Sequence, residues 1–150
     1  MKQKMEVTVS ARILLVDDEQ GFTETMAKRL SKRGYDVTTA LDGQSGIDIL
    51  SEKTIDVVVL DVKMPVMDGM ETLKAMKSAH PLVEVIMLTG HATVETAIEG
   101  MKSGAFDYMM KPCDMNELIS KITEAHDKKQ GQENKILEAR ARHIALRRGD

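Results

Sequence analysis

Three short segments of this sequence are apolar at almost every position, and each is followed at once by polar residues. Residues 12–16, 56–60 and 83–88 read RILLV, DVVVL and VEVIML. Runs that are apolar on both faces are typical of strands in a parallel sheet that helices cover on each side. Residues 35–40 are more polar and are predicted as an outer strand, and residues 106–110 are a fifth candidate.

Helical patterns separate these strands, with apolar residues recurring every three or four positions. The predicted helices are 20–33, 43–52, 69–79, 92–103 and one that begins at Asp114 and ends near residue 127. Asp114 and Glu117 have the spacing of a capping box for the last of these. Regular alternation of strand and helix predicts an α/β fold, a doubly wound five-stranded parallel sheet with helices on both faces.

Composition narrows the class of protein. A chain of 150 residues can bury a core as one domain, and its net charge of −3 gives no general reason to expect nucleic-acid binding. One cysteine excludes an internal disulfide and suits a reducing compartment. The apolar run ILLV near the N-terminus is too short for a signal peptide or a membrane span. We therefore expect a cytoplasmic protein with no membrane association.

Charge is unevenly distributed between the two ends of the chain. We divide it into an N-terminal extension (1–10), a domain (11–127) and a charged, helical C-terminal extension (128–150). That extension is basic, carries a thin apolar stripe of Leu137, Ala141 and Ile144, and is too small for an output domain. We expect no direct sequence-specific DNA binding. The sequence is compatible with a standalone protein or a piece of a longer regulator, and favours the former.

Polar residues follow each central strand. Asp17, Asp18 and Glu19 follow the first, Asp61 the third, Thr89 the fourth and Lys111 the fifth. The carboxyl ends of parallel strands share one edge of a sheet, and ligands bind there. We therefore expect these side chains to converge although they are far apart in sequence.

Such a cluster has a chemical logic. Carboxylates a few ångströms apart repel by roughly 1–4 kcal/mol per pair, and Mg²⁺ would remove that penalty. Lys111 and Thr89 would supply a charge and a hydroxyl for a phosphoryl group. Asp61 follows the most deeply buried strand and is the best candidate to attack phosphorus.

Four motifs in this order carry a family resemblance. VDDE (16–19), LDVKMPVMDG (60–69), LTGH (88–91) and YMMKP (108–112) together resemble the receiver domain of two-component response regulators, the CheY-like fold. The resemblance covers residues 11–127 and implies the strand order 2-1-3-4-5. Receivers of NtrC-type regulators are the most similar within the family.

The resemblance implies a role for each matching residue. Asp61 would be the phosphoacceptor, and Asp18, Asp61 and the backbone carbonyl of Lys63 would ligate Mg²⁺, with Asp17 acting mostly through water. Thr89 and Lys111 would bind the phosphoryl group. The remaining roles are switching by Thr89 and Tyr108, control of the phosphoryl lifetime by Lys63 and His91, and a cis peptide bond before Pro112.

Two residues of the second motif and three of the four histidines are predicted to have no part in the phosphoryl chemistry. Asp68 and Gly69 are predicted to form a structural turn into the next helix. His80, His126 and His143 are isolated and are predicted to be surface residues.

The implied function is phosphorelay signalling. A sensor histidine kinase or phosphotransfer protein would phosphorylate Asp61, and a downstream protein would bind the face of the fourth helix, fifth strand and fifth helix. A phosphorylation-dependent homodimer is a further expectation. The protein would be no enzyme beyond catalysing its own phosphorylation and dephosphorylation.

Two other classes use similar residues or a similar fold. A Mg²⁺-dependent phosphohydrolase with an aspartyl-phosphate intermediate needs the same side chains, but such enzymes have an aspartate where Lys63 stands. A flavodoxin-like cofactor binder needs a phosphate loop after the first strand, where the acidic sequence DDE would repel phosphate.

Overall fold

Five strands alternate with five helices in the computed structural model, which describes residues 11–64, 66–90 and 93–147. The strands are β1 (Arg12–Val16), β2 (Asp36–Ala40), β3 (Val57–Leu60), β4 (Glu84–Thr89) and β5 (Asp107–Met110). The helices are α1 (Gln20–Lys32), α2 (Gly43–Glu52), α3 (Gly69–Ala79), α4 (Val94–Lys102) and α5 (Met115–Arg147). All paired strands are parallel, in the order β2-β1-β3-β4-β5, which confirms the predicted fold.

The central strands divide their side chains between two cores. Leu14, Val58 and Met87 pack on one face of the sheet, which α2 and α3 cover. Residues one position away, such as Ile13 and Ile86, pack on the other face with side chains of α1 and α5. This alternation has the two-residue period of a strand, and both sets are buried because helices lie on each face.

Side-chain caps explain where two helices begin. Asp68 accepts a hydrogen bond from the backbone of Glu71, and the Glu71 side chain accepts one from the backbone of Asp68, so α3 starts at the predicted position. Thr93 and Thr96 form the same reciprocal pair at α4. That cap places the start of α4 at Val94, two residues later than the pattern predicted.

The prediction that the last helix ends near residue 127 is wrong, because α5 continues without a break to Arg147. Lys129 anchors the continuation, with its Nζ atom 3.1 Å from Oδ1 of Asp56 and 2.8 Å from Oε2 of Glu133. Gly131, a weak helix former, follows this anchor and is included in the helix. His126 is also mostly buried rather than a surface residue, with its Nε2 3.9 Å from Asp56.

The helix α5 has 33 residues, which is long enough to cross a membrane, but charged side chains occur along its whole length. Among the described residues, no helix is both long and apolar enough to span a membrane.

Candidate functional site

The strand ends bring the predicted polar residues to one edge of the sheet. The Asp17 backbone continues β1 pairing by donating to Ala40, and the Asp61 backbone continues β3 pairing by donating to Val16. Lys111 donates its N–H to the carbonyl oxygen of Thr89 at 2.8 Å. The sheet register therefore fixes the backbone positions of four residues of the site, Asp17, Asp61, Thr89 and Lys111.

Three carboxylates form the acidic cluster, which we define as Asp17, Asp18 and Asp61. One oxygen from each lies within 4.8 Å of the others. Asp17 and Asp61 are buried, whereas Asp18 is exposed. Burial raises the pKa of Asp17, and the hydrogen bond from Lys111 only partly opposes that rise. The cluster concentrates negative charge where water screens it poorly.

Lys111 is the cation of this site. Its Nζ atom donates to Asp17 Oδ2 at 2.6 Å and to Glu19 Oε1 at 2.9 Å, while Asp61 Oδ2 lies farther away at 3.9 Å. Burial lowers the pKa of Lys111, but the bonds to the two carboxylates outweigh this effect and raise it. Nζ also lies 4.1 Å from the centre of the Phe22 ring. The ammonium is therefore held on the β1 side of the cluster.

Asp61 has a vacant acceptor. Its Oδ1 atom is buried and makes no hydrogen bond in the described part of the chain. A buried carboxylate oxygen without a donor is costly, and a cation would satisfy it. The acidic cluster therefore fits a hard divalent ion such as Mg²⁺.

Gly69 supports the backbone on which Asp61 stands. Its N–H donates to the Val62 carbonyl oxygen at 2.6 Å, and a Cβ atom on Gly69 would overlap the Asp61 carbonyl oxygen. Asp68 and Gly69 thus form the start of α3, where Asp68 caps the helix and Gly69 lets it approach the backbone of Asp61 and Val62 closely.

A cavity of about 600 Å³ opens over the cluster. Asp18, Glu19, Asp61, Lys63, Met64, Gly90 and Lys111 line it. Lys63 is exposed where it lines this cavity. His91, the second predicted lifetime residue, lies outside the described residues.

Thr89 and Tyr108 occupy different places in the site. Thr89 is fully buried at the end of β4. Tyr108 is partly buried within β5, and its hydroxyl contacts the Thr96 hydroxyl of α4 at 2.7 Å. The Lys111–Pro112 peptide bond is cis, as the resemblance implied.

Sequence reasoning missed the individual roles of three residues near the site. Glu19 was identified only as one of the polar residues that follow the first strand, and neither Phe22 nor Thr96 was singled out. Thr96 alone had a usable signal, the Thr-x-x-Thr spacing of a reciprocal helix cap. The contacts of Glu19 and Phe22 with Lys111 span about ninety residues, and no local pattern reports them.

Comparison with known proteins defines the class. The family model described as the response regulator receiver domain matches residues 13–123. The chain belongs to the response regulator receiver family, which functions in two-component signalling.

Particular relatives refine this result. The chain is 38% identical over 112 residues to Regulatory protein AtoC of Escherichia coli, covering 75% of this chain and 24% of that protein. It is 36% identical over 111 residues to the DNA-binding transcriptional regulator NtrC of Klebsiella pneumoniae, covering 74% and 24%. The chain thus spans about a quarter of the length of these curated relatives.

Solved structures agree with the fold. A response regulator receiver domain protein from Clostridium thermocellum has a TM-score of 0.76 and 38% identity, with 80% of this chain and 97% of that chain covered. NtrX from Brucella abortus, solved in complex with ATP, has a TM-score of 0.78 and 30% identity, with 84% and 29% covered. The resemblance to CheY-like receivers and to receivers of NtrC-type regulators is confirmed.

Receiver domains bind Mg²⁺ at an acidic pocket and interact with histidine kinases and downstream partners. In this chain the matching acidic pocket is the cluster of Asp17, Asp18 and Asp61. The comparisons give no support to the phosphohydrolase alternative.

Proposed function

We propose that Asp61 accepts a phosphoryl group from a sensor histidine kinase or phosphotransfer protein in a Mg²⁺-dependent reaction. The observation that carries this proposal is the buried Oδ1 of Asp61, which has no hydrogen-bond partner among the described residues and lies beside two further carboxylates and Lys111. A carboxylate in this position forms a bond to phosphorus as the bond from phosphorus to the donor breaks.

Each residue of the site has a part in this transfer. Asp17, Asp18, Asp61 and the backbone carbonyl of Lys63 would hold Mg²⁺, which would neutralise charge on the transferring group. Lys111 lies 3.9 Å from Asp61, within reach of a phosphoryl oxygen after a small movement. Thr89 would donate its hydroxyl to another phosphoryl oxygen from the end of β4.

Switching would follow from the new charge. A phosphoryl group adds close to ~2 negative charges and strong acceptor oxygens. Thr89 would move toward it, and Tyr108 would turn into the space released. The face of α4, β5 and α5 would then change, and this face exposes Val94, Ile98, Met101 and Met110. We propose that it binds a downstream protein or a second phosphorylated copy.

The residues that line the cavity would also affect how fast the aspartyl phosphate is hydrolysed. Lys63 is exposed at the margin of the cavity, and we propose that it and His91 obstruct the water that would hydrolyse the aspartyl phosphate. Beyond its own phosphorylation and dephosphorylation, we propose no enzymatic activity for the chain.

The test uses the purified chain, Mg²⁺ and acetyl phosphate as donor. One acid-stable, base-labile phosphoryl group should be incorporated, and chelation of Mg²⁺ should prevent this. Asp61→Asn should abolish labelling, because its side chain cannot attack phosphorus as a carboxylate does. Mass spectrometry of the intact protein measures the incorporated phosphoryl group. After the donor is removed, Lys63→Ala should lose this group faster than the wild type, because Lys63 no longer obstructs the water.

Asp127→Asn is the matched control, since Asp127 is exposed on α5 and outside the site. It should be labelled like the wild type. Undiminished labelling of Asp61→Asn would remove Asp61 from the proposed role.

Three expectations stay predictions. They are the division at residues 10 and 127, the absence of direct sequence-specific DNA binding by this chain, and a cytoplasmic location without membrane association.

A further inference from the structure

The hydroxyl of Tyr108 is bonded into the N-terminal cap of α4. Its oxygen lies 2.7 Å from Oγ1 of Thr96. The same Thr96 oxygen accepts the backbone N–H of Thr93 at 3.0 Å and lies 3.1 Å from the carbonyl oxygen of Thr93. Thr96 therefore belongs both to the helix cap and to the contact with β5.

The Thr96 hydroxyl has four polar atoms within hydrogen-bond distance, because the Thr93 hydroxyl also lies 3.0 Å from it, and it can bond to three of them at once. A hydroxyl donates once and accepts twice. It can accept from the Thr93 N–H and the Tyr108 O–H while it donates to the Thr93 carbonyl. In this arrangement the bond to Tyr108 and the backbone bonds of the cap form together, while the Thr93 hydroxyl accepts the backbone N–H of Thr96.

Packing brings the Tyr108 ring against the same helix. Cδ2 of Tyr108 would lie 3.5 Å from a Cβ atom placed on Gly100, one helical turn beyond Thr96. Gly100 is the only buried residue of α4, so the helix has little apolar attachment to the sheet. Polar contacts therefore contribute to its attachment, namely the Thr96–Tyr108 bond at its first turn and the ion pair of Glu99 with Lys74 of α3 at 3.1 Å.

We propose that Thr96 is a positioning residue that sets the conformation of Tyr108 and couples it to α4. This inference rests on the proposed function, in which Tyr108 moves after phosphorylation. Tyr108 cannot turn without breaking the bond to Thr96, and breaking it loosens the first turn of α4. The hydroxyl of Thr96 thus stabilises this conformation of Tyr108, and loss of their hydrogen bond is transmitted to the α4–β5–α5 face.

A double-mutant cycle of Thr96→Val and Tyr108→Phe in the unphosphorylated full chain tests this coupling. Amide hydrogen exchange is measured over residues 94–102. In the wild-type background, Tyr108→Phe should speed exchange about five-fold, the effect of one net hydrogen bond. In the Thr96→Val background it should change exchange less than about two-fold, because the bond is already absent.

Thr96→Val also weakens the helix cap. Because the effect of Tyr108→Phe on exchange is compared between the wild-type and Thr96→Val backgrounds, the contribution of the cap cancels. Thr96→Ser keeps the hydroxyl and should behave like the wild type. Equal acceleration by Tyr108→Phe in both backgrounds, or none in the wild type, would overturn the proposal.

Fluorotyrosine labelling gives a second readout, since the chain has only two tyrosines and Tyr35→Phe assigns their resonances. In unphosphorylated Thr96→Val, the Tyr108 resonance should move toward the position it takes in the wild type with acetyl phosphate and Mg²⁺. An unmoved resonance would contradict the proposed positioning role. Should the wild type take up no phosphoryl group, the proposed function fails, while the exchange cycle still decides the Thr96–Tyr108 coupling.

Discussion

The position of the Asp61 backbone depends on the absence of a side chain at Gly69. The approach of α3 to the backbone at Asp61 and Val62 leaves no room for a side chain at position 69. The same glycine donates its N–H to Val62 and follows Asp68, which caps α3. The Asp68-Gly69 pair of the second motif therefore supports the backbone of Asp61 and does not contribute to its chemistry.

We predict that Gly69→Ala destabilises the fold by about 1–3 kcal/mol, since an added methyl group must displace the Asp61 backbone. Phosphorylation by acetyl phosphate should fall as well. Urea denaturation measures the free energy of unfolding. Gly21→Ala is the matched control, because within the described part of the chain no atom beyond its neighbours and the α1 backbone lies within 4 Å of the added Cβ. It should stabilise the protein by roughly 0.5–1 kcal/mol, and the opposite order of the two variants would refute this explanation.

Among the elements, α5 differs most from its sequence pattern. Its apolar stripe weakens after Ala125, yet the helix continues for more than twenty residues. Lys129 makes this possible by reaching the buried carboxylate of Asp56 at the opposite end of β3 from Asp61. Arg12 also binds Asp56, so three elements meet at one carboxylate. The C-terminal half of α5 therefore starts from a fixed point on the domain.

We expect Lys129→Met to loosen this attachment, because it removes a charge-assisted hydrogen bond worth roughly 1.5–3 kcal/mol. Amide exchange over residues 126–147 should accelerate by at least ten-fold, with little change in α1. Lys135→Met, at an exposed position on the same helix, should leave exchange nearly unchanged. Equal exchange in the two variants would show that Asp56 does not anchor α5.

At the scale of the whole molecule, Asp56 links stability to pH. Burial acts to raise its pKa, but hydrogen bonds from Arg12 and Lys129 outweigh burial and lower the pKa from 3.8 to about 2. A carboxylate whose pKa is lower in the folded state stabilises the protein above its unfolded pKa. That contribution is lost as the pH falls from about 4 toward 2.

The corresponding prediction compares wild type with Asp56→Asn between pH 7 and pH 2. At neutral pH the wild type should be more stable by about 2 kcal/mol from this linkage. The difference in free energy of unfolding should shrink as Asp56 becomes protonated below pH 4. Thermal or urea unfolding at each pH measures it, and a difference that stays constant down to pH 2 would contradict the assigned cause.

The sequence by itself determined the fold class and the residues at the acidic edge. Strand and helix periods are local properties, and the apolar runs 13–16, 57–60 and 85–88 are typical of strands that helices cover on both faces of a parallel sheet. The topology of such a sheet then places residues that follow its strands at one edge. The convergence of Asp17, Asp61 and Lys111 therefore followed from the order of the elements.

Tertiary structure alone decided which partners those residues have. Lys111 binds Asp17 across 94 positions, and Lys129 binds Asp56 across 73. The bond between Tyr108 and Thr96 depends on how α4 packs against β5. Hydrogen bonds require donor and acceptor to be placed to within a few tenths of an ångström, and the periodicity of a sequence does not specify positions that finely. For this reason the length of α5, the anchoring of Lys111 and the coupling through Thr96 became visible only in the folded chain.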